Sequence, residues 1–320
     1  MQIGQIKRIA VIGAGIMGHG FATVFAQNGY KVFLNDTGEE ILKKAMKSIQ
    51  GIIDTFIESG FVKKSERGKI LDRIAPTTNL EEAAKRADFV LEAITERMEL
   101  KKDLFRKLDQ WTPPHAILAS NTSGLSITEM GAVTKRPEKT IIVHGINPPH
   151  IIPIVEIVRG ERTADETAEI AYCLMKKVGK VPIRVLKEAP GFLYNRLHFA
   201  LWREALHCIE NGIASPKDID LFMTAGYGFR GAQIGPMKVS DLGGLDTFSI
   251  VATNLFPHLS DAKESPDILR EMTASGKLGA KSGSGFYDYP PAVLKKTIKE
   301  RDRRLLIQLK LFRSLEKRRS

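Results

Sequence analysis

His144 ends the apolar run Thr140-Ile141-Ile142-Val143 and stands just before the break Asn147-Pro148-Pro149. Histidine exchanges a proton near neutral pH without a large pKa shift, so an imidazole at a strand end beside a turn is a candidate general base. A second apolar run, Pro153 to Val158, carries Glu156 at its centre. A carboxylate in such a strand demands a partner, because burying it unpaired is costly. If the two runs pair, His144 is that partner. Glu156 then fixes the imidazole tautomer and stabilises the imidazolium formed in turnover. Three further polar stretches lie nearby in the pattern: Glu92 to Lys101, Ser120 to Thr128, and Pro190 to Leu197. The first two follow apolar runs, at what would be the carboxyl edge of parallel strands, where ligands bind.

A hydride acceptor for such a base is implied at the other end of the chain. The strand-like run Arg8 to Ile12 leads into GAGIMG, with Gly13, Gly15 and Gly18 in the G-x-G-x-x-G spacing and Ile16 and Met17 between them. The first glycine permits a tight turn, the second lets backbone amides approach a pyrophosphate, and the third lets the helix pack closely on the sheet. The helix N-terminus offers unpaired N–H groups to the phosphates. A second strand-like run closes on Asp36, an acceptor for both hydroxyls of an adenosine ribose and a repellent for a 2′-phosphate. NAD is therefore expected over NADP, with FAD as the competing dinucleotide.

Short β-rich runs alternate with helical patterns through the first half, which predicts an α/β, doubly wound, mostly parallel Rossmann sheet. From about Gly191 the pattern turns helical, as in FLYNRLHFALWREALHCIENG. The expected organisation is a nucleotide-binding domain over 1–188, with a helical hairpin insertion at about 39–75 that projects from the sheet. An all-helical substrate and dimerisation domain over 189–291 and a basic helical tail over 292–320 complete the expectation.

These motifs also carry a resemblance. From GAGIMG through SNTS, the H-x-x-N-P…E block and PGF-x-x-NR to KSGSGFYDY, the chain resembles the 3-hydroxyacyl-CoA dehydrogenase family over nearly its whole length. The resemblance implies NAD-dependent, reversible oxidation of a 3-hydroxyacyl-CoA of short chain, such as L-3-hydroxybutyryl-CoA, and a homodimer. It implies that His144 and Glu156 form the catalytic pair, that Ser123 and Asn195 hold the substrate oxygen and the histidine, and that Glu96, Lys101, Asn147, Asn121 and Ser123 lie along the cofactor.

The chain departs from usual members in two places. The two aromatics that commonly follow the histidine are Gly145 and Ile146 here, and the hairpin reads ESGFVKK rather than a KGK-like stretch. Lys63 and Lys64 are candidates for CoA phosphates, and Arg230 for an anionic substrate group, each against a plain surface reading. NPPHIIPIVE and RDRRLLIQLK look instead like relatives acting on free hydroxy acids or alcohols, such as the L-gulonate 3-dehydrogenase and lambda-crystallin branch or a dehydrogenase of pyridoxine breakdown. The alternative substrate is thus a non-CoA hydroxy acid or alcohol.

Composition narrows the remaining classes. The 320 residues carry a formal net charge of +11, but the tail from Lys295 holds eleven bases against three acids. Phe312 is the single aromatic among them, too few to serve as stacking platforms, so a solvated helical face is expected there and neither nucleic acid nor membrane is an expected partner. No apolar run is long enough to span a bilayer, and no signal-peptide pattern precedes Arg8. Cys173 and Cys208 stand alone, as reduced cysteines of a cytoplasmic protein would. No cluster asks for a metal.

Overall fold

A computed structural model describes residues 3–316. Eight strands form one sheet: β1 Arg8–Ile12, β2 Lys31–Asn35, β3 Ile74–Thr77, β4 Phe89–Glu92, β5 Ile117–Ser120, β6 Thr140–Gly145, β7 Ile154–Val158 and β8 Val181–Val185. Their order is β3-β2-β1-β4-β5-β6-β7-β8. All pairs are parallel except β6 with β7. This is the doubly wound, mostly parallel architecture expected from the alternation, with its switch point between β1 and β4.

The central strands read as continuous apolar runs because both faces are covered. Ile9, Val11, Phe89, Leu91, Ile117, Ala119, Ile141 and Val143 join one core. Their alternating neighbours Ala10, Ile12, Val90, Leu118, Ile142 and Val158 join the other. Period-two alternation thus shares each strand between two layers of helices.

The stretch after Asp36 differs from the projecting hairpin expected of it. The helix Glu39–Glu58 is amphipathic, and Leu42, Ala45, Ile49, Ile53 and Phe56 along one face are buried in the same core as Phe21 and Phe25 of the helix Ile16–Gln27. The stretch also returns to the sheet as β3, which the sequence pattern did not announce. Pro76 hides that strand from a propensity reading. Proline is tolerated there because β3 is an edge.

The chain divides into two compact units, one closing at Asn195 and taking back the chain from Glu300 onward, the other Arg196–Lys299. The second is helical, with the helices Pro216–Phe222, Pro236–Gly243, Leu245–Leu255 and Asp267–Ala274 among its elements. Leu206 is its one buried large hydrophobic side chain among the described residues, while Leu197, Phe199, Phe222, Phe229, Met237, Leu242, Leu245, Ile250 and Phe256 are exposed.

The basic tail forms a helix, Pro291–Glu316, but it is not solvated all round. Leu306 and Leu309 are buried in the core of the first unit, and the Lys310 ammonium and Arg313 guanidinium stand 5.6 and 5.3 Å from the centre of the Phe61 ring. The charge count conceals this because the two leucines occupy one narrow stripe. The bases Lys317, Arg318 and Arg319 lie outside the described residues. No described helix is long and apolar enough to cross a membrane.

Candidate active site

The antiparallel register sets His144 directly opposite Glu156, so both side chains share one face of the sheet. The His144 Nδ1 lies 2.7 Å from Glu156 Oε2, with both side chains buried. The other carboxylate oxygen, Oε1, accepts from the backbone N–H groups of Leu193 and Tyr194, each at 2.8 Å. Those are the first amides of the helix Tyr194–Glu210, whose dipole also favours a negative charge there. Burial by itself would raise the Glu156 pKa, but the bonds from His144, Tyr194 and Leu193 outweigh it and hold the carboxyl below its ordinary value. Glu156 therefore stays ionised, which fixes Nδ1 as the protonated nitrogen and leaves the Nε2 lone pair to accept a proton.

The Pro190-Gly191-Phe192 turn delivers that helix terminus. Gly191 has φ 78° and Phe192 φ 49°, a left-handed conformation that is costly for a bulky side chain. Phe192 holds it while buried to 2 % exposure, its ring edge-on to the His144 imidazole at 5.7 Å. One turn thus both seats the carboxylate and walls the imidazole. The stretch Pro190 to Leu197 thus contributes more to the site than the Asn195 side chain that the sequence points to.

Ser123 and Asn195 are brought together: Asn195 Nδ2 donates to the Ser123 carbonyl at 2.9 Å. The Ser123 N–H donates to Glu96 Oε1 at 3.0 Å, and Thr122 Oγ1 donates to the same oxygen at 2.5 Å. Burial opposes ionisation of Glu96, but Thr122, Lys101 and Ser123 together hold its pKa below the ordinary value. Asn121 Oδ1 accepts from the Gly145 N–H at 2.9 Å, tying the β5 end to the residue after His144. A side chain at Gly145 would collide with the Phe21 ring, so an aromatic from the helix Ile16–Gln27 occupies the space next to the missing ones. Asn147 precedes Pro148 across a cis peptide bond in the turn that follows.

Lys101 is buried between two carboxylates. Its ammonium sits 2.6 Å from Glu92 Oε1 and 3.2 Å from Glu96 Oε2, and its side chain is 1 % exposed. Glu92, fully buried at the end of β4, was not singled out in the sequence. Its signal was the one that marked Glu156, a carboxylate inside an apolar run. Lys63 and Lys64 are exposed between the helices Glu39–Glu58 and Arg67–Leu71, and Arg230 is exposed in the second unit. Neither lysine joins the His144 cluster.

The glycine loop fits a dinucleotide. Gly13 has φ 98°, and a Cβ there would stand 2.5 Å from the Ala93 carbonyl oxygen. A Cβ on Gly18 would overlap the Gly13 carbonyl, whereas one on Gly15 would meet nothing within 4 Å. The open glycine is thus the one that must admit a ligand. Gly15 caps the helix Ile16–Gln27 without any side-chain hydrogen bond, Ile16 beside it is 61 % exposed, and Met17 packs against the core. The first N–H groups of that helix are therefore left for an anion. Asp36 Oδ2 accepts from the Ala14 N–H at 2.7 Å and Oδ1 from the Thr37 N–H at 2.7 Å. Thr37 Oγ1 also donates to Oδ1 at 3.3 Å, so Oδ2 is the carboxylate oxygen that keeps a further lone pair for a ribose hydroxyl.

Residues 8–189 match the NAD-binding domain of 3-hydroxyacyl-CoA dehydrogenases, and residues 191–289 match the C-terminal domain of the same enzymes. The chain belongs to the 3-hydroxyacyl-CoA dehydrogenase family. It is an NAD-dependent oxidoreductase. Among relatives, a probable 3-hydroxybutyryl-CoA dehydrogenase of Bacillus subtilis is 40% identical over 286 residues, covering 89% of this chain and 98% of that protein. A 5-formyl-3-hydroxy-2-methylpyridine 4-carboxylate 5-dehydrogenase of Mesorhizobium japonicum is 34% identical over 312 residues, covering 98% of this chain and 100% of that protein. A crystal structure described as that dehydrogenase activity, an NAD+ dependent dismutase, superposes with a TM-score of 0.90 at 34% identity, covering 97% of this chain and 99% of the other.

Proposed function

We propose that this family member oxidises the hydroxyl of a short-chain L-3-hydroxyacyl-CoA, such as 3-hydroxybutyryl-CoA, to the ketone, and catalyses the reverse reduction. The observation that carries the chemistry is the buried His144–Glu156 pair, 2.7 Å apart and opposite each other across β6 and β7. NAD, when bound, supplies the hydride acceptor. Gly13, Gly15, Ile16, Met17, Gly18 and Asp36 hold its adenosine and pyrophosphate, while Glu96, Asn121, Ser123 and Asn147 line the remaining carboxyl edge of the sheet. Lys101 acts there by holding Glu96 in place.

The substrate hydroxyl donates its proton to His144 Nε2 as the carbinol carbon is oxidised. The imidazolium formed is stabilised by the Glu156 carboxylate on Nδ1, and in reduction it returns the proton to oxygen. Ser123 and Asn195, fixed to each other through the Ser123 carbonyl, orient that oxygen and favour the transition state over the ground state. The thioester reading draws on the 3-hydroxybutyryl-CoA dehydrogenase relative. A homodimer is part of the proposal: the second unit has a single buried large hydrophobic side chain and many exposed ones, more apolar surface than a monomer leaves in water.

A second reading, a free hydroxy acid or alcohol as substrate, is favoured by one observation. The helix Pro291–Glu316 lies beyond the residues matched to the family domains. The pyridine-carboxylate dehydrogenase covers 98% of this chain, against 89% for the Bacillus relative.

The test follows NADH oxidation with acetoacetyl-CoA and with free acetoacetate at matched concentrations. Turnover with the thioester alone supports the first reading. Absence of turnover with both, while NADH still binds, refutes it and directs the search to free hydroxy compounds assayed with NAD.

A further inference from the structure

Glu92 meets Lys101 but neither Ser123 nor Asn195, yet two separate chains of hydrogen bonds lead from it to the turn that carries Ser123. We infer that Glu92 is a positioning residue for Ser123 and Asn195, and that the buried charges around it are kept for geometry rather than for stability. The inference rests on the reading of Ser123 and Asn195 as ligands of the substrate oxygen.

The first route runs across the sheet. Register sets Glu92 of β4 opposite Ser120 of β5. Ser120 Oγ donates to Glu92 Oε2 at 2.5 Å and accepts from the Thr122 N–H at 3.1 Å. The second route runs through the helix Met98–Trp111. Lys101 binds Glu92 Oε1 at 2.6 Å and Glu96 Oε2 at 3.2 Å. Glu96 Oε1 in turn accepts from Thr122 Oγ1 and from the Ser123 N–H. Thr122 Oγ1 closes the turn by accepting from the Leu125 N–H at 2.9 Å. Both routes therefore converge on Thr122 and Ser123, and the Ser123 carbonyl receives the Asn195 side chain.

The arrangement is an unusual way to stabilise a core. Glu92, Lys101, Ser120 and Thr122 are each exposed by no more than 1 %. Buried ion pairs are commonly replaced by apolar residues of similar size with little loss, or a gain, in stability, whereas removing one partner is costly. What the ion pair adds over an apolar pair is direction. A third acceptor bond, from the Ile94 N–H to Glu92 Oε1 at 2.7 Å, fixes the carboxylate plane, and the plane fixes where Lys101 meets Glu96.

The test is the double variant Glu92→Leu with Lys101→Met, beside Glu92→Gln and Ser123→Ala. The double variant is expected to melt within a few degrees of the parent, and its turnover is read at saturating NADH so that the loss of Lys101 beside Glu96 at the cofactor edge does not enter kcat. Its kcat is expected to fall at least about tenfold, with Glu92→Gln intermediate. A structural role would make kcat follow the melting temperature. A double variant with kcat within twofold of the parent, or one that loses its fold, overturns the inference. Ser123→Ala separates the two failures. If it retains turnover, the assignment of Ser123 fails; if it is inactive while the double variant is active, only the role of Glu92 fails.

Discussion

Replacing Glu156 by glutamine exchanges one carboxylate oxygen for an NH2 group and has a specific expected consequence. Glu156 Oε1 accepts two backbone N–H groups, from Leu193 and Tyr194, and Oε2 meets His144 Nδ1. In Glu156→Gln the amide oxygen must face the two N–H donors, because an NH2 group there would oppose them. The NH2 group then faces His144 and donates to Nδ1, which forces the ring proton onto Nε2. The base loses the lone pair that receives the substrate proton, and the imidazolium loses its counter-charge. A hydrogen bond to a charged group is worth about 1.5–3 kcal/mol, or about ten- to a hundredfold in rate. With the tautomer reversed as well, kcat is expected to fall by about a hundred- to a thousandfold. The two backbone bonds survive, so the protein should remain folded. The assay pairs steady-state turnover with an NADH fluorescence titration and a melting curve. A variant with kcat within threefold of the parent, folded and binding NADH, would refute the reasoning.

Asp36→Ser should raise the turnover with NADP relative to NAD, since it removes the charge that repels a 2′-phosphate; an unchanged ratio would remove Asp36 from the ribose site. His150 is pushed down to about 3 by burial first and then by His19, Lys180 and Arg301. The unfolded chain protonates this side chain near 6.5 while the folded chain does not, so folding stability should fall as pH drops from 6.5 towards 3. Since the ring packs on Phe56 at 5.9 Å, His150→Phe should flatten that limb of the melting-temperature profile, and an unaltered slope would contradict the assignment. Leu309, at 5 % exposure, anchors the C-terminal helix in the nucleotide-binding core, so Leu309→Ala should cost about 2–5 kcal/mol in denaturant unfolding. A loss below about 0.5 kcal/mol would show that the helix does not dock.

The readable parts of the site were those where a residue type contradicts its surroundings. Glu156 inside an apolar strand and His144 at a strand end could be paired before any coordinates, because only one register satisfies the carboxylate. Glu92 broadcast the same contradiction in DFVLEAI and was passed over, since its partner Lys101 sits on a helix, where a lysine looks ordinary. The glycine spacing gave the dinucleotide loop, but only the backbone shows that Gly15 faces open space while Gly13 and Gly18 are packed. The loss of aromatics after His144 made sense only once Phe21, distant in sequence, was found against Gly145. Strand β3 stayed hidden behind Pro76, and the docking of the tail behind its charge. Both depend on tertiary neighbours that local patterns do not encode.

The most direct test of the central claim is the His144→Ala variant, assayed for NADH binding and for turnover with the substrate that the parent accepts. The account predicts NADH binding within about threefold of the parent and turnover lower by about a thousandfold, as loss of a general base requires. Turnover within tenfold of the parent, from a folded variant that binds NADH, would contradict it.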